Sequence, residues 1–516
     1  RRVVATSHPL AAQAGLQMML RGGNAVDAAI ASAACMVLVE PCSNGLGSDA
    51  FALVWAGGEL HGLNASGPAP AGWTPDYFRA HTRMPQRGWD TVTVPGAVAG
   101  WAALHQRFGS LPFADLLQPA IDIAEQGYAV PLGVADKWAR AARVPELAGG
   151  AGFAEAFLPN GRAPQVGERF AFPAAARSLR LIAETGGEAF YRGEVAEALE
   201  RFALEGGGQL RAADLAVFQP EWVRPIATDF QSHRVHEIPP NGQGIAALMA
   251  LGMARHLDLG RHPVDDWRTQ HLLIEALKLA FADLYRFVAE PRSMQLRSED
   301  LLDADYLRQR AALIDPLRAQ EFGAGNPVKG GTIYLTTADA GGMQVSFIQS
   351  NYMGFGSGLV LPGYGLSLQN RGACFTLERG HANEVGPGKR PFHTIIPGFL
   401  TQDGAARMGF GVMGGNMQPQ GHLQTLVRML VYGQHPQAAC DAPRWRFNQG
   451  LHLNAEPHWP AATLQGLTDA GHQLGDIHDS YQDFGAGQFI WSLGDPAVDG
   501  YVAASDPRRD GAAVAY

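Results

Sequence analysis

The run VKGGTIYLTTAD, Val328 to Asp339, sets a threonine directly behind two glycines at the start of a strand-forming stretch. A threonine hydroxyl is a poor nucleophile without a base beside it. One base open to Thr332 is its own α-amine, freed by cutting the peptide bond that precedes it. Such an amine titrates at about 7.7 to 8.0, so it can accept and return a proton near neutral pH. Gly330 and Gly331 would let the backbone bend until the hydroxyl reaches the Gly331 carbonyl and makes that cut. The same residues also read as an ordinary Gly-Gly turn entering a strand whose threonines reflect β propensity. Both readings stand on these residues alone.

Other chemical patterns fail on their context. His236-Glu237 begins like a zinc-protease helix, but Pro239 and Pro240 follow and prevent the helix that would put two histidines on one face. GFGSGL, Gly354 to Leu359, is followed by VLPGYG, which does not open the helix a dinucleotide loop requires. Neither a phosphate-binding P-loop nor a G-x-S-x-G elbow occurs. The remaining histidines show no ligand spacing, so neither metal nor cofactor is expected. Cys35, Cys42, Cys374 and Cys440 lack C-x-x-C spacing and read as reduced thiols.

The elements that must carry Thr332 follow from periodicity. Ala11 to Arg21 is apolar at helical spacing, and Asn24 can cap a second helix over Ala25 to Glu40. After the glycine-rich EPCSNGLGSDAF, the runs FALVWA and LHGLNA flank Gly57-Gly58 as a hairpin. From about Pro95 to Leu317 the pattern is mainly helical, with one strand expected at Arg234 to Ile238. Beyond Gly331, TIYLTTA and MQVSFIQ form a hairpin across Gly341-Gly342. IIPGFL and ARMGFGV form another, and a helix is expected from His422 to Tyr432. Strands in such blocks with helices outside imply an α/β layered fold.

Composition bounds the function. The 516 residues are 46% hydrophobic and only 17% charged, enough apolar content for a large core. A net charge of −9 without a basic cluster argues against nucleic acid or an anionic membrane as partner. No apolar run approaches the roughly 18 residues that span a bilayer. The expected location is cytoplasmic, or periplasmic where a leader has been removed.

Eight segments, taken together, resemble the γ-glutamyltranspeptidase family of N-terminal-nucleophile hydrolases. They are RGGNAVDAAIA, NGLGSDAF, VPGAVAGW, PPNGQG, TIYLTTADAGG, FGSG, VGPGKRPFHTIIP and GVMGGNMQPQ, in the family's order. The resemblance implies a four-layer αββα sandwich. It implies self-cleavage between Gly331 and Thr332 into a large subunit, 1–331, and a small one, 332–516, which stay intertwined as a heterodimer or a dimer of heterodimers. Thr332 would attack a side-chain amide and pass the acyl group to water or an amine. The oxyanion donors map to the amides of Gly414 and Gly415, agreeing with a Gly-Gly loop ahead of a helix. Asn351 or Tyr352 falls where the family has a substrate-contacting asparagine. Ser350 is the nearest match to the hydroxyl supporting the nucleophile, although strict spacing selects Gln349.

The chain departs from the classical members at the amino-acid clamp. Ser66 stands at the family's arginine and Cys374 at its aspartate, while His393-Thr394 replaces a serine pair. A hydroxyl and a neutral thiol do not substitute for a bidentate arginine and a carboxylate. The implied substrate is therefore a small carboxylated amide, glutaryl- or oxamate-like, with Arg371 as candidate for gripping the carboxylate and His393 for orienting it. The alternatives are a true γ-glutamyl hydrolase or transpeptidase acting on glutathione, and a non-catalytic or slowly maturing member that serves as a binding protein.

Overall fold

A computed structural model describes residues 1–322, 331–476 and 484–516. Val328 to Gly330, and with them the first glycine before Thr332, lie outside the described residues. Two antiparallel sheets form the centre. The first has seven strands in the order Ala512–Ala515, Val3–Thr6, Gly331–Ala338, Gln344–Tyr352, Asp49–Ala56, Glu59–Ala65 and Glu221–Val223. The second has six, in the order Tyr501–Ser505, Ala486–Ser492, Ala405–Met413, Gly398–Gln402, His233–Glu237 and Ile226–Phe230. Each sheet takes strands from both sides of residue 331, so the two stretches form one intertwined body.

Alternation along the strands assigns the layers. On Asp49–Ala56, Phe51 and Leu53 join Tyr334, Ile348, Ile395, Ile396, Phe399 and Met413 in a cluster between the sheets. Ala50, Ala52 and Val54 point the opposite way, into a cluster with helix Ala25–Val39. Helices Gly244–Ala254, Trp267–Phe287 and Met417–Leu430 cover the outer face of the second sheet. The order is helix, sheet, sheet, helix, an αββα sandwich of the N-terminal-nucleophile hydrolase type. Each large apolar side chain buried in these layers contributes about 1.5–3 kcal/mol. The sheets approach closely where the second has no side chain: a Cβ on Gly411 would lie 2.4 Å from the Tyr334 ring.

Local signals explain most elements. Asn24 Oδ1 accepts the amides of Val26 and Asp27, and Asp27 Oδ2 accepts the amide of Asn24, closing a capping box on a helix buried along its whole length. Gly57 and Gly58, with φ of 61° and 82°, make the expected hairpin turn.

Three expectations need correction. The stretch from about Pro95 to Leu317, read as helical with one strand, also holds the short strands Tyr128–Ala129, Arg169–Phe170 and Glu221–Val223, each too brief to show an alternation. The strand read at Arg234 to Ile238 is one arm of a hairpin, His233–Glu237, whose partner Ile226–Phe230 the sequence pattern does not reveal. That partner is an edge strand, half-exposed over much of its length, so its sequence lacks the marked apolar alternation of a buried strand. The helix expected from His422 starts five residues earlier, at Met417. Pro419 obscures this start, yet it sits in the first turn, where the amide it lacks has no intrahelical acceptor.

The four cysteines are buried and unpaired. Among the described residues no helix is long and apolar enough to cross a membrane.

Candidate active site

Thr332 lies on the strand Gly331–Ala338 and is 3% exposed. It shares the parity of Tyr334, so its side chain points between the sheets. Its hydroxyl donates to Ser350 Oγ at 3.3 Å and accepts from Gln418 Nε2 at 3.4 Å. Both contacts are long for bonds to a hydroxyl oxygen, as hydrogen bonds around unliganded nucleophiles often are.

A β-bulge brings Ser350 opposite Thr332. Gln349 pairs with Ile333, but the next pairing is Tyr352 with Gly331, leaving one extra residue on the strand Gln344–Tyr352. Ser350 Oγ also accepts the Tyr352 amide at 2.7 Å. Gln349 faces the helices instead: it accepts from Trp101 Nε1 and donates to the Ala33 carbonyl and Asn44. Of the two residues left open by spacing, Ser350 is therefore the one beside the threonine hydroxyl.

Gly414 and Gly415 form a turn between the strand Ala405–Met413 and the helix Met417–Leu430, with φ of 120° and 61°. The Gly414 carbonyl accepts the Met417 amide, and the Gly415 carbonyl accepts the Gln418 amide. Among the described residues, the amides of Gly414, Gly415 and Asn416 carry no hydrogen bond. Free amides at a helix start favour an anion. Gln418 links this turn to the nucleophile, because its Oε1 accepts the Ile396 amide at 2.9 Å while its Nε2 reaches Thr332.

A charged cluster adjoins these groups. Arg371 is fully buried, with its guanidinium carbon 4.5 Å from the Tyr352 ring centroid. Its Nη1 donates to Thr394 Oγ1 at 2.8 Å, and its Nε lies 3.6 Å from Asp49 Oδ2. Neither Nε nor Nη2 makes a hydrogen bond. Asp49 accepts the Gly67 amide at 3.2 Å and His393 Nε2 at 3.0 Å. Burial pushes the Asp49 carboxyl up to about 7, against the pull of Arg371 and the Gly67 amide. Burial, and then Arg371, hold His393 well below its ordinary value, so the ring that meets Asp49 through Nε2 is neutral. Burial likewise raises the Cys374 thiol, which touches Arg371 Nη1 at 3.8 Å and is no candidate for a thiolate nucleophile.

Two expected contacts are committed elsewhere. Asn351 accepts from Ser48 and donates to Ser367, which fixes its carboxamide within the surrounding loops. Ser66 donates to Asn64 Oδ1 and accepts from Asn241 Nδ2, bracing its loop. Sequence reasoning misses three participants: Asp49, Gln243 and Gln418. All lie inside segments that carry the family resemblance. A carboxylate in the middle of a glycine-rich apolar run is the available signal for Asp49. The glutamines, lacking charge, offer none.

The absence of ligand spacing among the histidines also needs qualification. His271, Glu275 and His472 come together, with ligand atoms within 4.8 Å of one another. Lys278 Nζ occupies Glu275 Oε1 at 2.6 Å, the Gln320 amide occupies Oε2, and His271 Nδ1 meets His472 Nε2 at 2.8 Å. The ammonium already supplies the positive charge, and the cluster reads as a structural tie.

Residues 11–516 match the family model described as gamma-glutamyltranspeptidase. The chain belongs to that family. It is 35% identical to the glutathione hydrolase-like YwrD proenzyme of Bacillus subtilis, covering 100% of this chain and 98% of the relative. It is 34% identical to the oxamate amidohydrolase proenzyme of Klebsiella pneumoniae, covering 99% and 97%. Among solved structures, cephalosporin acylase from Bacillus halodurans superposes with a TM-score of 0.94 at 46% identity, covering 100% of this chain and 96% of that one. This family member is an amidohydrolase of the N-terminal-nucleophile type, made as a proenzyme that matures into two chains.

Proposed function

We propose that this family member uses Thr332, freed by cleavage after Gly331, to hydrolyse the amide of a small acyl donor that carries a carboxylate and no α-amine. In the uncut chain the Thr332 nitrogen is a peptide amide and cannot act as base. Cleavage turns it into an amine titrating at about 7.7 to 8.0. The Thr332 hydroxyl attacks the acyl carbon while its proton passes to that amine. The oxygen of the tetrahedral intermediate takes negative charge facing the amides of the Gly414–Gly415 turn, Ser350 orients the hydroxyl, and water releases the acid.

The observation that carries the substrate class is Arg371: a buried guanidinium whose Nε and Nη2 make no hydrogen bond, Nε standing 3.6 Å from Asp49, stacked on the ring that follows Ser350 and Asn351. A carboxylate is the ligand that satisfies such a fork. Glutaryl and oxamate amides fit this description, and one relative is named an oxamate amidohydrolase. One observation favours a γ-glutamyl donor as second reading: Asp49 beside Arg371 offers a carboxylate for an α-ammonium.

Intact-mass measurement of the wild type beside Thr332→Ala tests the nucleophile. Fragments 1–331 and 332–516 are expected from the wild type and a single 516-residue chain from the variant. A wild type that stays uncut on prolonged incubation refutes the assignment. Glutaryl, oxamate and γ-glutamyl amides presented side by side then decide between the two substrate readings.

A further inference from the structure

The charged cluster and the Gly414–Gly415 turn stand on different segments, and one side chain joins them. Gln243 is fully buried immediately before the helix Gly244–Ala254. Its backbone amide donates to the His393 carbonyl at 3.0 Å. Its Nε2 donates twice, to the Thr394 carbonyl at 2.6 Å and to the Gly415 carbonyl at 2.9 Å. Thr394 is the residue whose hydroxyl receives Arg371.

A trans peptide sends its N–H opposite to its C=O. Holding the Gly415 carbonyl on Gln243 and on the Gln418 amide therefore sets the direction of the Asn416 amide, as the Met417 amide on the Gly414 carbonyl does for Gly415. A turn of two glycines at positive φ has little internal stiffness, so its orientation depends on such anchors.

We infer that Gln243 is a positioning residue for the oxyanion site. Its carboxamide holds the Gly415 carbonyl, which fixes the Asn416 amide directly and restrains the Gly415 amide, one of the two assigned donors, through the shared Gly415 Cα, from the segment that also holds the acyl-binding cluster. The inference rests on the reading of Thr332 as nucleophile. In the step concerned, the Thr332 oxygen bonds to the acyl carbon, its proton moves to the α-amine, and the carbonyl π pair becomes the oxyanion. Collapse of that intermediate expels the amine, which takes the proton. Gln243 makes and breaks no bond.

The test uses the mature two-chain enzyme with glutaryl-p-nitroanilide. It compares wild type with Gln243→Met, which keeps the length and lacks the donor, and with Gln243→Glu, which donates only when protonated. For Gln243→Met, kcat is expected to fall about 10- to 100-fold, less than the 10²–10³ typical of deleting an oxyanion donor outright, with KM within about 3-fold. Affinity for 4-boronobutanoic acid, which becomes tetrahedral on the threonine oxygen, is expected to fall by the same factor, while inhibition by glutarate stays unchanged. For Gln243→Glu, kcat relative to wild type is expected to rise as pH falls. A Gln243→Met enzyme with wild-type kcat, or with equal losses toward boronate and glutarate, overturns the inference and leaves a structural brace. If Gln243→Met does not mature, a pH-independent ratio for Gln243→Glu overturns it equally. A wild type that cleaves none of glutaryl-p-nitroanilide, γ-glutamyl-p-nitroanilide and oxamate overturns the functional reading as well. An active wild type beside an unimpaired Gln243→Met overturns this inference alone.

Discussion

Asp49 and Asp506 are both almost completely buried beside arginines, and their environments pull them in opposite directions. Burial pulls Asp506 upward. The Arg444 and Arg508 guanidiniums, with the amides of Gly487 and Arg508, overcome that pull and hold it below the ordinary carboxylate range. Arg444 Nη2 and Arg508 Nη1 sit 2.8 and 3.1 Å from its oxygens. Asp49 has one guanidinium, at 3.6 Å, and burial prevails, carrying it up to about 7. In the first cluster the two guanidiniums bond Asp506 and Glu456, and of their six nitrogens Arg444 Nε makes no hydrogen bond. In the second, Arg371 Nη2 has no partner and Nε stands 3.6 Å from Asp49 without a hydrogen bond, which fits a site that takes a ligand's charge.

The comparison breaks most visibly if Arg444 is removed. Arg444→Met leaves Asp506 buried with only Arg508 for charge compensation, and removing one partner of such a pair costs about 3–5 kcal/mol. Thermal or urea unfolding is expected to show that loss at pH 7. The folded carboxyl lies below its unfolded value, so the Asp506 contribution is present above the unfolded pKa and is lost as pH falls through the folded one. An unfolding midpoint equal to wild type would mean that the cluster is not the structural tie described.

Arg371→Met is expected to act on binding. Loss of a charged hydrogen bond of about 1.5–3 kcal/mol corresponds to a rise in KM of roughly 10- to 100-fold for a glutaryl amide. The effect on an uncharged acyl amide of similar size is expected to be small. Equal effects on both substrates would remove Arg371 from carboxylate recognition.

The smallest expected effect is the most diagnostic. Below about pH 7 Asp49 is protonated and the Arg371 charge is uncompensated; above it Asp49 ionises and competes with the substrate carboxylate. His393 stays neutral across this range, held there by burial and Arg371, and the buried Cys374 thiol stays protonated. KM for a carboxylated donor is therefore expected to rise above pH 7; the Thr332 α-amine titrates in the same range in both enzymes, so the Asp49 part, at most about tenfold per unit, is read as the difference from Asp49→Asn. In Asp49→Asn that Asp49 part is expected to vanish. Parallel KM profiles for the two enzymes from pH 6 to 8.5 would show that Asp49 does not titrate against the site.

Much of this is legible in the residues themselves. The Asn24 cap, the Gly57-Gly58 hairpin and the apolar alternation of TIYLTTA depend on neighbours in the chain, which is why periodicity and capping chemistry determine them. Thr332 after two glycines likewise carries its own chemical argument, and the eight segments in order point to the family. Spacing along the chain could not choose between Gln349 and Ser350, because a bulge of one residue at that point reverses which of them faces Thr332. Nor could it see that Ser66 and Asn351 are held by their loops, or that Asp49, Arg371 and His393 meet across more than 300 residues. Local order follows from backbone and neighbour preferences written in the sequence. Which polar groups remain unpaired in the interior depends on how distant strands and turns pack together, and that only the tertiary structure decided.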